Sequence, residues 1–126
     1  MKHILLIDDN EIDNYINKLI VTKSKKADLI TVMYSGINAM EFLNNLVNTE
    51  QPFPEIIFLD IHMPKMNGFQ FLDQYDKFPE YVKEKTIINM LTSSINPDDI
   101  KRAGESRYVK NFFSKPLGEE MLTTIV

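Results

Sequence analysis

Four short apolar runs and a shorter fifth segment punctuate this chain, and most of them stop abruptly at a polar residue. His3-Ile4-Leu5-Leu6-Ile7 ends at Asp8-Asp9, Leu29–Tyr34 at Ser35-Gly36, and Ile56-Ile57-Phe58-Leu59 at Asp60. Thr86–Leu91 ends at Thr92-Ser93-Ser94, and Asn111–Ser114 at Lys115-Pro116. Runs this short, rich in branched residues and without polar alternation, read as strands buried on both faces. The segments between them carry helical spacing. Ile12, Tyr15, Ile16, Leu19 and Ile20 place one apolar stripe on a helix from about Glu11 to Ser24, and Ile37, Met40, Leu43 and Val47 mark a second. Phe69, Leu72 and Tyr75 open a short third helix after the Pro64-bearing loop His62–Asn67. Asn96-Pro97-Asp98-Asp99 starts a fourth, to about Tyr108, with a capping Asn, Pro at the first helical position and two acids in the first turn. Leu117–Val126 supplies the last. Strand and helix alternate five times, which specifies an α/β protein: a five-stranded parallel sheet with five helices, doubly wound in three layers, because each crossover packs back onto the sheet with one hand.

Composition removes several classes of function. The 126 residues suit one domain spanning 1–126, with no room for an output module. No cysteine is present, so disulfides, thiolate zinc sites and a Cys nucleophile are impossible. A net charge of −4 argues against gripping nucleic acid through its phosphates. Lys23, Lys25 and Lys26 read as a solvated helix end. No apolar run approaches a membrane span, and the start opens into a strand rather than a leader, so a cytoplasmic location is expected.

In an open α/β sheet, function collects at the carboxyl ends of the strands. There the chain places Asp8-Asp9, Asp60, Thr92 and Lys115-Pro116. Taken singly, each has a bland reading as a helix cap, a turn residue or a solvated strand end. Together, three converging carboxylates repel one another and call for a cation. Oxygen ligands on an open rim suit Mg²⁺, with Mn²⁺ possible, since such an ion keeps several waters and can share a position with a phosphoryl group. Replacing Asp9 by Asn is accordingly expected to stabilise the metal-free fold while weakening Mg²⁺ binding.

These motifs carry a resemblance. The acidic pair Asp8-Asp9, Asp60 within Leu59-Asp60-Ile61-His62-Met63-Pro64, Gly68 eight residues on, Thr92 and Lys115-Pro116 resemble the receiver domain of two-component response regulators, over essentially the whole chain. The likeness is to single-domain, chemotaxis-regulator-like receivers. It implies a flavodoxin-like sheet of strand order 2-1-3-4-5. It implies that Asp60 is the phosphoacceptor for a histidine kinase or histidine phosphotransfer protein. It also implies that Asp9, Asp60 and the backbone carbonyl of His62 ligate the metal, with Asp8 acting largely through water. Lys115 would pair with phosphoryl oxygens, and the Thr92 hydroxyl would bond to one of them.

The resemblance further implies a switch in which Thr92 moves towards the phosphoryl group and Phe112 turns into the vacated space. A downstream effector protein would then read the fourth helix, the fifth strand and the fifth helix. Such a domain is no turnover enzyme; it promotes only its own phosphorylation and dephosphorylation. Asn111 stands where glycine is frequent. His62 and Ser94, two places beyond Asp60 and Thr92, occupy positions that bear on hydrolysis of the phosphoaspartate, and the His62 ring itself reads as a loop residue in water. Thr123-Thr124-Ile125-Val126 leaves open a core contact, a homodimer surface or the join to a removed output domain.

Three other readings fare worse. A haloacid-dehalogenase-type phosphatase also puts a nucleophilic Asp after a buried strand, but needs a second Asp where His62 stands. A flavin module needs a Ser/Thr/Gly-rich phosphate loop, whereas Asp8-Asp9-Asn10-Glu11 would repel the flavin phosphate. A receiver that has lost its chemistry would lack one or more of the five positions, and all are present.

Overall fold

The computed structural model describes residues 2–125. Its strands are β1 (His3–Ile7), β2 (Leu29–Met33), β3 (Ile56–Leu59), β4 (Ile87–Thr92) and β5 (Val109–Ser114). Its helices are α1 (Glu11–Ser24), α2 (Gly36–Asn48), α3 (Gly68–Tyr75), α4 (Glu80–Lys83), α5 (Pro97–Glu105) and α6 (Glu119–Ile125). All strand pairs are parallel and the order is β2-β1-β3-β4-β5. The pleat divides the core in two. Leu5, Ile7, Ile57, Leu59, Ile88 and Met90 face α2, α3 and α5, while Ile4, Leu6, Ile56, Phe58 and Leu91 face α1 and α6. Continuous apolar strands are what such two-sided burial demands, and β1, β3 and β4 sit at the centre for that reason.

Local chemistry starts the helices. The Asn10 side chain accepts from the backbone N–H groups of Ile12 and Asp13, Ser35 caps α2, and Asn67 and Gln70 bond reciprocally at the start of α3. Asn96 caps α5, with Pro97 at its first position.

Among the described residues six helices are present where the sequence pattern gives five. The extra one, α4, is a single turn with too few residues to show a period. It is held from outside: the buried Lys83 ammonium donates to the Asp76 carbonyl oxygen and to the Tyr108 hydroxyl, 2.9 Å each. The same tether ends α5 at Glu105 instead of Tyr108. Tyr108 packs edge-on to Tyr75 and its hydroxyl donates to Asp76, so the chain leaves the helix early and enters β5 at Val109. The last helix begins at Glu119 instead of Leu117, and Val126 lies outside the described residues.

The largest departure concerns α1. Most of its apolar stripe faces solvent: Ile12 and Tyr15 are 69% and 70% exposed, and Ile16 and Leu19 are also open, while Ile20 is partly buried against the core. Asn14, Asn17 and Val21 face the sheet instead. One buried amide explains part of this choice, since Asn14 Nδ2 donates to the Asp8 carbonyl oxygen at 2.8 Å, satisfying a backbone group just past the end of β1.

Candidate functional site

Parallel pairing runs one residue past the strand ends and fixes the rim. The Asp8 N–H donates to the Met33 carbonyl and the Asp60 N–H to the Ile7 carbonyl, which sets the two aspartates side by side. One oxygen of each is held locally: Asp8 Oδ1 accepts from the Asn10 N–H at 3.0 Å, and Asp60 Oδ1 from the Ile61 N–H at 2.8 Å. Carboxylate oxygens of Asp8, Asp9 and Asp60 all lie within 4.8 Å of one another. Asp8 and Asp60 are buried, and Asp9 opens to solvent.

Lys115 enters from the end of β5. Its backbone N–H donates to the Thr92 carbonyl at 3.0 Å, and its Nζ lies 2.5 Å from Asp8 Oδ2, 2.7 Å from Asp13 Oδ2 and 3.2 Å from Asp60 Oδ2. Thr92 is fully buried at the same rim, and its hydroxyl oxygen accepts from the Ser94 N–H at 3.2 Å. Phe112 is half-buried against the core beneath α2, α3 and α5. The exposed His62 ring does not stand free in water: its Nε2 lies 3.1 Å from Asp99 Oδ2 on α5.

The family profile described as the response regulator receiver domain matches residues 4–126. The chain belongs to that family. It is 32% identical to the sensor histidine kinase CheAY of Helicobacter pylori over 123 residues, 98% of this chain but only 14% of that protein's length. It is 28% identical to response regulator Rcp1 of Synechocystis over 129 residues, 94% of this chain and 86% of that one. Among solved structures, a two-component response regulator from Cytophaga hutchinsonii superposes with a TM-score of 0.90 at 34% identity, covering 99% of this chain and 93% of the other. The Mn²⁺-bound form of Rcp1 superposes with a TM-score of 0.78 at 25% identity, covering 99% and 88%.

The donor set of this receiver fits a hard divalent ion. Every candidate ligand is oxygen, one carboxylate is open to solvent, and the buried ones carry more negative charge than Lys115 alone offsets. Asp8 reports that deficit. Burial raises its pKa to about 6; the Lys115 ammonium and the Asn10 N–H pull it back only partly, and the Asp60 charge pushes it further up. Burial would lower Lys115, but its bonds to Asp13 and Asp8 and the nearby Asp60 charge hold it above the ordinary lysine value.

The repulsion among the carboxylates bears on the buried Asp8. With a folded pKa of about 6 against an ordinary carboxylate near 4, the native state binds more protons than the unfolded chain between those limits. Stability from this group is therefore present below about pH 4 and declines as pH rises, the loss being complete above about pH 6. Asp8→Asn should remove that loss, raising metal-free stability at pH 7 by on the order of 1–3 kcal/mol and flattening the pH profile. Melting curves in EDTA from pH 4.5 to 7.5 check it; equal profiles for both proteins would contradict it.

Asp13 is the site residue that pattern reading misses. In sequence it is one more acid in the first turn of a helix, where acids are common. Only its placement one turn past Asp9 on α1 hints that it faces the strand ends. Gly68, by contrast, has a steric reason for its place. A Cβ there would lie 2.6 Å from the Asp60 carbonyl oxygen and 3.0 Å from Ile61 Cα, backbone atoms that cannot rotate away. Gly68→Ala should cost about 1–3 kcal/mol and shift the acceptor loop. Urea denaturation checks the cost; an unchanged midpoint would contradict it.

Proposed function

We propose that this receiver accepts a phosphoryl group on Asp60 from a histidine kinase or histidine phosphotransfer protein. The observation that carries the reading is a buried carboxylate at the end of β3, flanked by two further aspartates and by one lysine ammonium. An Asp60 oxygen attacks phosphorus, the bond from phosphorus to the donor's imidazole nitrogen breaks with its electron pair going to that nitrogen, and the imidazole, already protonated on its other ring nitrogen, leaves neutral. Phosphoryl transfer asks the protein mainly for alignment and charge neutralisation. Asp9, Asp60 and the His62 carbonyl would hold Mg²⁺, with Asp8 acting largely through water. The ion would neutralise phosphoryl oxygens and orient them. Lys115 supplies the second positive group, and the Thr92 hydroxyl bonds to the transferred group. Phe112 then turns inwards, and α5, β5 and α6 present the altered surface to an effector. The domain carries out its own phosphorylation and dephosphorylation and no other turnover, in the cytoplasm where such donors act.

The 126-residue chain incubated with Mg²⁺ and acetyl phosphate should gain one phosphoryl group by intact mass, with peptide mapping to Asp60. Absence of any adduct would defeat the reading.

The exposed stripe on α1 supports a docking face for the phosphohistidine donor. That donor must bring its imidazole against the rim beside Asp9, and Ile12, Tyr15, Ile16 and Leu19 are the apolar surface leading away from it. Charged residues would normally fill such a face, and an apolar stripe bordered by a polar rim marks a contact surface. Ile16→Asp should therefore slow transfer from a phosphohistidine protein at least about tenfold, a cost of about 1.4 kcal/mol, and far more than it slows labelling by acetyl phosphate. Equal slowing with both donors would contradict a docking role.

A further inference from the structure

Outside the carboxylate cluster, three polar side chains from separate segments meet at one oxygen. Asp99 Oδ2 accepts from the Ser94 hydroxyl at 2.7 Å and lies 3.1 Å from His62 Nε2. His62 belongs to the loop that follows the acceptor strand, Ser94 to the loop after β4, and Asp99 to the first turn of α5. The carboxylate is only 17% exposed, although the His62 ring is 65% exposed. An acid three residues past a helix cap ordinarily bonds back to the cap's own N–H. Here the Asn96 N–H donates to Ser94 Oγ instead, and Asp99 is turned towards the two loops.

The bridge reaches the buried site through Ser94. The same residue whose hydroxyl is fastened to Asp99 donates its backbone N–H to the Thr92 hydroxyl oxygen at 3.2 Å. Resting on the phosphoacceptor reading above, we propose that Asp99 is a positioning residue: it fastens the acceptor loop to α5 and keeps the Ser94 N–H on Thr92, opposing movement of Thr92 towards a phosphoryl group. Phosphorylation then has to loosen the bridge, and the first turn of α5 is coupled to the occupancy of Asp60 through a single carboxylate. A contact present in only one of two states shifts their balance by its own free energy, and no further.

Beryllium trifluoride with Mg²⁺ serves as the phosphoryl stand-in, titrated into the full chain and followed by the amide resonances of Thr92, Ser94 and the first turn of α5. Asp99→Ala should bind it roughly 3- to 10-fold more tightly than wild type, the net worth of one hydrogen bond. Asp99→Asn keeps an oxygen in place for Ser94 and His62 and should stay within about twofold of wild type. Both variants lose the same charge at the start of α5, so a helix-dipole effect would move them equally and would overturn the proposal. Ser94→Ala, which leaves the helix charge intact, should shift binding in the same direction as Asp99→Ala; unshifted or weaker binding in both overturns the bridge. Adding Ser94→Ala to Asp99→Ala should change binding no further, and additive effects would count against a shared bridge. Failure of the wild type to bind would defeat the phosphoacceptor reading as well. Binding by wild type with no shift in the variants would defeat this inference alone.

Discussion

Asp60→Asn is expected to abolish phosphoryl labelling while leaving the fold intact. The amide lacks the anionic oxygen that attacks phosphorus, yet its one carbonyl oxygen can still accept from the Ile61 N–H, while Lys115 keeps Asp8 and Asp13 as partners. Asp8 and Asp13 lie closer to Lys115 than Asp60 does, at 2.5 and 2.7 Å against 3.2 Å, and Asp9 lies at the open edge of the cluster, so none of them is expected to substitute. Intact-mass measurement after acetyl phosphate and Mg²⁺ distinguishes the outcomes, and retention of the wild-type adduct would remove Asp60 from its assigned role. Thermal stability in EDTA should not fall, since the substitution removes one negative charge from a cluster with too many.

Lys115→Ala should carry the largest stability cost among substitutions at the rim. Among the described residues the ammonium is the one cation bonded to Asp8, Asp13 and Asp60 together, and its side chain is 12% exposed. Without it, two buried carboxylates face each other with no cation bonded to either, a loss of about 3–5 kcal/mol for breaking a buried ion pair from one side. Two conditions should recover part of that loss. Mg²⁺ replaces the missing positive charge, and lowering the pH towards 5 neutralises Asp8, whose pKa is already raised to about 6 and would rise further without the lysine. Urea denaturation with EDTA or Mg²⁺, at pH 5 and pH 7, resolves the four cases. A cost below about 1 kcal/mol at pH 7 in EDTA would mean that the carboxylates are relieved by another route.

The order of elements was legible because strand and helix periods differ and because caps are local. Asn10, Ser35, Asn67 and Asn96 each cap the helix that follows them, using only their own side chain and the next few backbone N–H groups. The site was legible for a related reason. Parallel strands end at one rim, so chemistry written after each apolar run is gathered there whatever the loops do. The exceptions share a cause. The α4 turn, the early end of α5 and the role of Lys83 depend on Tyr108 and Asp76, which are distant in sequence and meet only after the sheet closes. The orientation of α1 could not be read from its period, because an apolar stripe signals a buried face without saying whether core or partner covers it.

By itself, then, the sequence determined the α/β alternation, the Asn96 cap and the collection of Asp8, Asp9, Asp60, Thr92 and Lys115 at one end of a parallel sheet, since each follows from local period, local chemistry or strand polarity. Tertiary structure alone decided which way α1 faces, that Asp13 joins Lys115 and that Asp99 ties His62 to Ser94. Those are choices between partners far apart along the chain, and only the packed fold brings them within hydrogen-bond distance.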